Sequence, residues 1–434
     1  MLSRLKVSDN QRFLVQADGT PFFWLGDTAW ELFHRCDRDE AEMYLENRRR
    51  KGFTVVQAVI LAELDGLHTP NSYGDLPLID DDPTKPNEPY FRHVDDIVNL
   101  AAEKGIYLGL LPTWGDKVNN LKWGIGPAIF NAANARVYGE FLGRRYRDQT
   151  HIIWILGGDR EAITGEADFR PITRAMAAGI MAGCGQETLM TYHPQGGQSS
   201  AMWFHEDEWL SFNMWQSGHG RRDNGNWELI THDYHRTPVK PVLDGESSYE
   251  DHPVDPYTRQ WQPEYGYFDD YDVRKSGYRA VFAGAFGHTY GHHSIWQMYH
   301  QGREPKTYPR CDWITALDRP GAGQISHLRR LMESRPFLTR IPDQGLLASD
   351  AGEGAFHVRA TRDAGGSYAM VYIPAGQAVT INLDRLSGEA VMAWWYDPRT
   401  GQSSPIGEYP ATGPQTFTTP AAGPDWVLVL DDKR

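Results

Sequence analysis

The most informative stretch of the sequence is His151-Ile-Ile-Trp-Ile-Leu-Gly-Gly-Asp-Arg160. Ile152 to Leu156 is a short apolar run rich in β-branched residues, which is typical of a strand buried on both faces. The run stops at Gly157-Gly158, and Asp159 follows at once, so this carboxylate lies at the carboxyl end of the strand. In an α/β barrel the carboxyl ends of the strands carry the catalytic groups, because the eight βα loops converge there.

A second stretch, Lys240-Pro-Val-Leu-Asp-Gly-Glu246, has the same design of a brief apolar strand, a glycine and a carboxylate. Counted along the chain, Asp159 ends the fourth predicted strand and Glu246 the seventh. These two strands face each other across an eight-stranded barrel, so both side chains can point into one mouth. Such a pair of carboxylates suits glycoside cleavage, in which one acts as nucleophile and the other as acid and then base.

Other acids compete with Glu246 for the role of nucleophile. The nearest are Asp244 and Glu250, and a further run, Glu206-Asp-Glu208, lies in the fifth βα loop. Strand alternation places Asp244 and Glu246 on one face, with Glu246 nearer to the mouth. Glu250 is the second choice.

Strand-like and helix-like segments alternate through about 310 residues, which predicts a (β/α)8 barrel. The predicted strands are Phe22–Gly26, Thr54–Leu61, Ile106–Leu111, Ile152–Leu156, Thr188–Tyr192, Ser211–Met214, Val239–Asp244 and His288–Trp296. The predicted helices are Asp39–Lys51, Phe91–Lys104, Asn134–Asp148, Asp168–Gly183, Trp227–Arg236 and Val273–Gly284.

We expect three units along the chain. Residues 1–22 form a β-hairpin cap with a turn at Asp18-Gly19, residues 23–338 form the barrel, and residues 339–434 form an all-β sandwich. The β-type runs of the last unit are Ala355–Ala360, Tyr368–Ile373, Val379–Leu383, Val391–Tyr396 and Trp426–Leu430. Trp394 and Trp395 should point to opposite faces, which favours packing of this unit against the barrel.

Composition limits the class of partner. The chain has 434 residues with 43 Lys plus Arg against 57 Asp plus Glu, a formal charge of −14, which argues against nucleic acid as a partner. The 15 Trp residues are more than a core alone usually needs, and flat aromatic faces stack on sugar rings. Most of them nevertheless pack in cores first. We therefore expect a carbohydrate substrate.

Cysteine usage and apolar patterning point to a reduced protein outside the membrane. Cys36, Cys184 and Cys311 are odd in number and far apart, so neither a disulfide framework nor a zinc site is indicated. There is no run of 18 apolar residues and no apolar region typical of a signal peptide. We expect a cytoplasmic protein, unless a leader has been removed.

Further strand ends supply candidate substrate-binding residues. Asp27, His193 and His292 are expected to hydrogen-bond sugar hydroxyls, although each His can equally be structural. An Asp27→Ala change should then raise KM or lower kcat by about tenfold or more. The sugar platform is expected to be Trp114, Trp215 or Trp296, and Trp30 and Gln216 also follow strands. No cofactor is expected, and a metal site at His288, His292 and His293 is not favoured because no acid stands at ligand spacing.

Several motifs together resemble the apiosidase-like glycoside hydrolases of family 140. They are Gly26-Asp-Thr-Ala-Trp30, Trp154-Ile-Leu-Gly-Gly-Asp159, His193-Pro194 with Trp203-Phe-His205, Phe212-Asn-Met214 with Gln216-Ser-Gly-His219, Pro241 to Glu246 with Tyr249-Glu250, Gly284 to Trp296, and Trp394 to Gly401. The resemblance covers essentially the whole chain. It implies a retaining mechanism with Asp159 as acid/base and Glu246 as nucleophile, and release of terminal β-D-apiose from plant glycans or glycosides. The broader clan usually places a Glu after Asn at the acid/base position, whereas this chain has an Asp after Gly.

The resemblance leaves alternatives open. One is a retaining hydrolase that acts on another plant sugar, such as an arabinofuranoside or a β-glucan. Another is a non-catalytic carbohydrate-binding barrel, although the presence of both carboxylates argues against it. A third is a terminal β-unit that binds collagen or a polysaccharide, for which an obvious row of exposed aromatic residues is missing.

Overall fold

Eight strands of the computed structural model, which describes residues 2–257 and 260–433, form a parallel barrel. They are β1 Trp24–Thr28, β2 Val55–Leu61, β3 Tyr107–Thr113, β4 Ile152–Gly157, β5 Met190–His193, β6 Asn213–Gln216, β7 Val242–Glu246 and β8 Gly287–Tyr290. Neighbours pair in parallel from β5 back to β1 and on through β8 to β6. The barrel closes where the Ser211 N–H donates to the Met190 carbonyl at 2.8 Å. A short strand, Gln198–Ser199, adds to β6 in antiparallel fashion.

Seven longer helices surround the strands. They are α1 Arg38–Arg50, α2 Glu88–Glu103, α3 Ala132–Arg145, α4 Arg170–Cys184, α5 Asn226–Tyr234, α6 Asp270–Phe282 and α7 Pro320–Glu333. Single helical turns are found at Leu32–Arg35, Ala201–Phe204, His293–Trp296 and Trp313–Ala316. The starts of α1, α3 and α6 are fixed by reciprocal capping boxes from Asp37, Asn131 and Asp269.

The predicted barrel is confirmed, and one of its strands is shorter than expected. β8 ends at Tyr290, and His293–Trp296 is a helical turn rather than more strand. Nδ1 of His292 accepts a hydrogen bond from the Ser294 N–H at 3.0 Å, which caps this turn. The prediction of a strand through Trp296 is therefore wrong, because a side-chain cap satisfies the backbone there instead of a neighbouring strand.

The first residues form a three-stranded antiparallel sheet rather than only the expected hairpin. Its strands are Leu5–Val7, Leu14–Gln16 and Pro21–Phe22. The turn at Gly19 has φ +90°, a conformation that glycine adopts easily. The Phe22 ring lies 5.0 Å from that of Tyr107, the first residue of β3, so the sheet covers the amino-terminal end of the barrel.

The last part of the chain is antiparallel β-structure. A six-stranded sheet has the order Arg340–Pro342, Arg359–Asp363, Tyr368–Ile373, Trp426–Lys433, Ala390–Asp397 and Gln402–Pro410, and a small sheet pairs Ala378–Asn382 with Pro414–Thr418. The expected strand Ala355–Ala360 is wrong, since a 3-10 turn occupies Gly354–Phe356 and the strand begins at Arg359. The strands at 340–342, 402–410 and 414–418 have too few apolar residues to be recognised from sequence.

This sheet packs against the barrel through one face. The rings of Tyr372 and Tyr278 of α6 stack at 4.9 Å, and Arg274 makes a buried ion pair with Asp425 at 2.9 Å. Trp394 packs with the barrel-facing cluster and Trp395 with the cluster on the other face, so the predicted opposite orientation is confirmed. No helix in the described ranges is long and apolar enough to cross a membrane.

Candidate active site

The end of β4 places Asp159 by means of two glycines. Gly157 and Gly158 have φ of +86° and +112°, and a Cβ on Gly158 would lie 2.7 Å from the Gly115 nitrogen. That nitrogen instead donates to the Gly158 carbonyl at 3.0 Å, which joins the ends of β3 and β4. Asp159 is itself left-handed at φ +55°, a conformation that Asp tolerates better than most residues. The chain therefore turns sharply, and the Asp159 carboxyl group meets the Gln216 side chain.

A β-bulge at the end of β7 places Glu246. Asp244 pairs with Trp215 and Glu246 with Gln216, so Gly245 is an extra residue on this strand. A Cβ on Gly245 would lie 2.7 Å from the side chain of Met214, which explains why glycine stands there. Because a bulge resets the alternation of a strand, Glu246 no longer shares a face with Asp244.

The expectation that Asp244 and Glu246 lie on one face is therefore wrong. The Asp244 carboxylate accepts hydrogen bonds from the Ser217 hydroxyl at 2.8 Å and from the amide of Asn226, in α5, at 3.1 Å. Its partners thus include a helix outside the barrel. Glu246 faces the interior, where it is only 6% exposed.

Two histidines hold the Glu246 carboxylate. Nε2 of His219 is 2.9 Å from Oε1, and Nε2 of His193 is 3.0 Å from Oε2. Nδ1 of His193 accepts a hydrogen bond from the Asp159 N–H at 3.3 Å, so in neutral His193 the proton is on Nε2 and faces Glu246. The contact with Oε2 is close but poorly aligned, and within the described ranges Oε2 has no well-aligned hydrogen-bond partner.

The pKa values of the two carboxyl groups are displaced in opposite directions. Burial and the negative charge of Glu246 raise the pKa of Asp159 to about 7. Burial alone would also raise the pKa of Glu246, but hydrogen bonds and charge from His193 and His219 outweigh it and hold that pKa well below its ordinary value. At neutral pH Glu246 is an anion while Asp159 can keep its proton, the division of roles that acid-assisted nucleophilic attack requires.

Tryptophan rings line the site around His193. The Trp30 ring centroid is 5.2 Å from that of His193 and 5.2 Å from that of Trp114, and Trp114 is 6.0 Å from His193. Trp296 belongs to the same apolar cluster. The structure thus brings together most of the predicted site residues, namely Trp30, Trp114, Asp159, His193, Gln216 and Glu246, whereas the Trp296 ring contacts that of His293.

Two predicted substrate-binding residues point away from the mouth. Asp27 is fully buried against α1, where its carboxylate accepts hydrogen bonds from Tyr44 at 2.6 Å and Arg48 at 2.5 Å. Trp215 packs with Trp227 of α5 in a cluster between the barrel and its helices. Both predictions are wrong, because these side chains lie on the outer face of their strands.

His292 and Glu250, near the end of β8, form hydrogen bonds and ion pairs with other protein groups. His292 caps the helical turn described above, and its Nε2 is 3.3 Å from Asp251, so its predicted role with sugar hydroxyls is not supported. The second choice for nucleophile, Glu250, accepts hydrogen bonds from Tyr290 at 2.7 Å and from the Gly321 N–H at 3.1 Å.

Asp251, His292 and Cys311 offer ligand atoms within 4.8 Å of one another. Arg310 lies 2.7 Å from one oxygen of Asp251 and Arg319 lies 2.5 Å from the other. Two guanidinium groups already balance this carboxylate, so the cluster does not suit a metal cation.

Comparison with known proteins identifies the family. The profile described as "Apiosidase-like, catalytic domain" matches residues 8–339, and "Putative collagen-binding domain of a collagenase" matches residues 341–431. The chain belongs to the apiosidase-like family. The chain is therefore a glycoside hydrolase-like protein. No relative is found among the curated proteins.

Solved structures agree with this apiosidase-like assignment. One described as a glycoside hydrolase has 36% identity and a TM-score of 0.90, covering 99% of this chain and 97% of its own. A family 5 glycoside hydrolase from Bacteroides vulgatus ATCC 8482 has 35% identity and a TM-score of 0.90, covering 99% and 93%. A subfamily 18 member of family 5 from Streptomyces cattleya, in complex with GlcNAc, has 12% identity and a TM-score of 0.52, covering 73% and 81%, and shares the fold alone.

Three residues of this apiosidase-like site escaped the sequence analysis. His219 lies three positions past β6, and its distance from the strand hid its contact with Glu246. The Tyr249 ring is 4.4 Å from that of His219, and its hydroxyl group lies close enough to Glu246 to feel its charge. Glu63 follows β2 in a long loop, where no pattern marks one acid above the others. For His219 and Tyr249 the available signal was their place in the motifs Gln216-Ser-Gly-His219 and Tyr249-Glu250.

Proposed function

We propose that the protein is a retaining glycoside hydrolase that releases a terminal β-D-apiosyl residue from plant glycans or apiosylated glycosides. One observation carries the proposal: His193 contacts both the Glu246 carboxylate and the backbone N–H of Asp159, and the pKa values of these two neighbouring carboxyl groups are displaced in opposite directions. A protonated acid and an ionised nucleophile are the two components of a double displacement.

In the first step Oε2 of Glu246 attacks the anomeric carbon. This oxygen is the more available one, because His219 holds Oε1 while Oε2 has only its poorly aligned contact with His193 in the described ranges. Asp159 gives its proton to the departing oxygen as the bond to the leaving group breaks. The product is a glycosyl ester of Glu246 and a free alcohol.

In the second step Asp159, now a carboxylate, removes a proton from water as the water attacks the anomeric carbon. The ester bond to Glu246 breaks, Glu246 regains its charge, and the sugar leaves with its original anomeric configuration. The loss of charge on Glu246 in the ester lowers the pKa of Asp159, while its return raises that pKa again. Each group therefore prepares the other for its next role.

Support for apiose comes from the family, and support for a terminal sugar comes from the enclosure of the site. Glu246 is only 6% exposed, and His193 is fully buried behind it. Trp30 and Trp114 close the side of the mouth nearest His193. A small furanose at a chain end fits such a mouth better than the interior of a polymer.

The decisive experiment measures release of free pentose from an apiosylated flavonoid glycoside and from a panel of aryl β-glycosides. The parent protein is compared with Glu246→Gln and Asp159→Asn, and with Asp148→Asn as a control at a 96% exposed carboxylate. Proton NMR of the first product formed reports its anomeric configuration. We expect β-apiose first, no release by Glu246→Gln, and parental rates in the control.

Each other outcome removes one part of the proposal. Release of a different sugar that still requires both carboxylates removes apiose and keeps the mechanism. An inverted first product removes the double displacement. Activity that survives Glu246→Gln removes Glu246 as nucleophile.

A further inference from the structure

A third carboxyl group, that of Glu63, stands at the same mouth. It lies two residues beyond the end of β2, on a backbone that is fixed on both sides. The Ala62 carbonyl accepts a hydrogen bond from Nζ of Lys117, and the Leu64 N–H donates to Glu31 at 3.1 Å. The backbone on each side of Glu63 is therefore held in place by hydrogen bonds.

The backbone that carries Glu63 is connected to the backbone that carries Asp159. Lys117 ties the end of β2 to the segment after β3, and the Gly115 N–H donates to the Gly158 carbonyl at 3.0 Å, directly before Asp159. Leu64 packs in the apolar cluster that contains the mouth tryptophans. The ends of β2, β3 and β4 thus form one continuous wall with Glu63 and Asp159 on it.

The Glu63 carboxyl group is half-buried, and none of the described residues forms a hydrogen bond or ion pair with it. Burial and, next in size, the charge of Asp159 raise its pKa to about 8. A partly buried acid without a protein partner is unusual, and such groups are found where a ligand supplies the partner. Because it stays protonated at neutral pH, it offers a hydrogen-bond donor without adding negative charge beside Asp159.

Tyr257 marks the open side of the same region. Its side chain is 68% exposed, yet burial of its hydroxyl and the charges of Glu63, Asp159 and Glu246, in that order, raise its pKa. The Tyr257 hydroxyl group therefore lies within the electrostatic influence of all three carboxyl groups. Glu63 and Tyr257 thus belong to the same region as Asp159, and Tyr257 is on its exposed side.

We propose that Glu63 is a specificity-determining residue on the leaving-group side of the mouth, where it hydrogen-bonds a hydroxyl group of the sugar that is expelled. The inference rests on the proposed function, because the acid/base must touch the departing oxygen and Glu63 shares its wall. The substrate class that follows is a glycoside whose terminal sugar is attached to another sugar rather than directly to an apolar aglycone.

The test uses pairs of substrates with the same terminal sugar, attached either to glucose or to 4-nitrophenol, for β-apioside, arabinofuranoside and β-glucoside. The proteins are the parent, Glu63→Ala, Glu63→Gln and the control Glu166→Ala at an exposed glutamate of the loop after β4. We expect Glu63→Ala to lower kcat/KM about tenfold on the glucose-linked member and less than about twofold on the aryl member. Glu63→Gln keeps an N–H donor and should restore most of the loss.

Equal losses on both members of a pair, or no loss on either, would overturn the role of Glu63. If the parent cleaves a pair other than the apioside, the proposed substrate fails, while the comparison on the pair that is cleaved still decides Glu63. A parent that cleaves no member of any pair contradicts both proposals.

Discussion

Nε2 of His193 lies 3.0 Å from Oε2 of Glu246, while the other nitrogen of the same ring accepts the N–H of Asp159 at 3.3 Å. One imidazole thus joins the end of β4 to the end of β7. The two carboxyl groups are thereby held near each other, and the negative charge of Glu246 raises the pKa of Asp159. This explains why their proton affinities must be considered as a pair.

Asp159→Asn should separate substrates by the quality of their leaving groups. An alkyl or sugar leaving group needs the proton of Asp159, so we expect kcat/KM to fall by about 10²- to 10⁴-fold. A 2,4-dinitrophenyl glycoside leaves without protonation and should form the glycosyl-enzyme at nearly the parental rate. A burst of dinitrophenol measured by stopped flow checks this, and equal losses on both substrate types would contradict the acid role.

The raised pKa of Asp159 predicts a pH dependence of both activity and stability. The acid form is needed for attack, so kcat/KM should fall as pH rises through about 7. The pKa of an Asp in the unfolded chain is about 4, whereas that of Asp159 in the folded protein is about 7. Between these two pH values the folded protein binds more protons than the unfolded chain, so the free energy of unfolding falls as pH rises. Asp159→Asn removes this loss, and its Tm advantage over the parent should grow from pH 5 to pH 8. An advantage that shrinks over this range would contradict the assignment.

His219→Ala should move the acid limb of the pH profile. His219 helps to hold the pKa of Glu246 below its ordinary value, so its loss raises that pKa and the nucleophile becomes protonated at higher pH. We expect kcat to fall by about ten- to a hundredfold at neutral pH and the acid limb to shift upward. His235→Ala, at an exposed histidine, serves as the control. A lower rate with an unmoved limb would assign His219 only a packing role.

Asp27→Ala should reduce stability rather than substrate affinity. Removing this carboxylate leaves Arg48 buried without its partner, which costs about 3–5 kcal/mol of unfolding free energy. Urea unfolding measures the loss, and KM of the folded fraction should equal that of the parent. An increased KM with an unchanged free energy of unfolding would instead indicate that Asp27 binds substrate.

Trp114, beside His193, and Trp215, between the barrel and α5, should respond differently to substitution. Trp114→Phe removes part of the wall beside His193, so we expect kcat/KM to fall by about tenfold. Trp215→Phe changes only the cluster beside α5 and should leave kinetics unchanged while lowering Tm. A loss of kcat/KM in Trp215→Phe but not in Trp114→Phe would contradict the assignment of Trp114, rather than Trp215, to the site.

Strand ends could be predicted from sequence because a buried parallel strand is a continuous apolar run that stops abruptly. Asp159 and Glu246 were placed at strand ends in this way, and so were Trp30, Trp114, His193 and Gln216; their roles remain predictions. The same reasoning misplaced Asp27 and Trp215, because a run that is apolar on both faces does not reveal which face is the interior. His219 and Glu63 were missed because they lie on loops, where position follows from packing rather than from periodicity.

The local pattern of the chain was thus sufficient for the barrel, its strand order and the pair of acids at two strand ends, since these depend on apolar runs and their spacing. The direction of each side chain depended on tertiary contacts. The bulge at Gly245 arises where β7 pairs with β6, and it turns Glu246 inward while Asp244 stays outside. The proton affinities followed in turn, because burial and the approach of His193 and His219 exist only once distant segments meet.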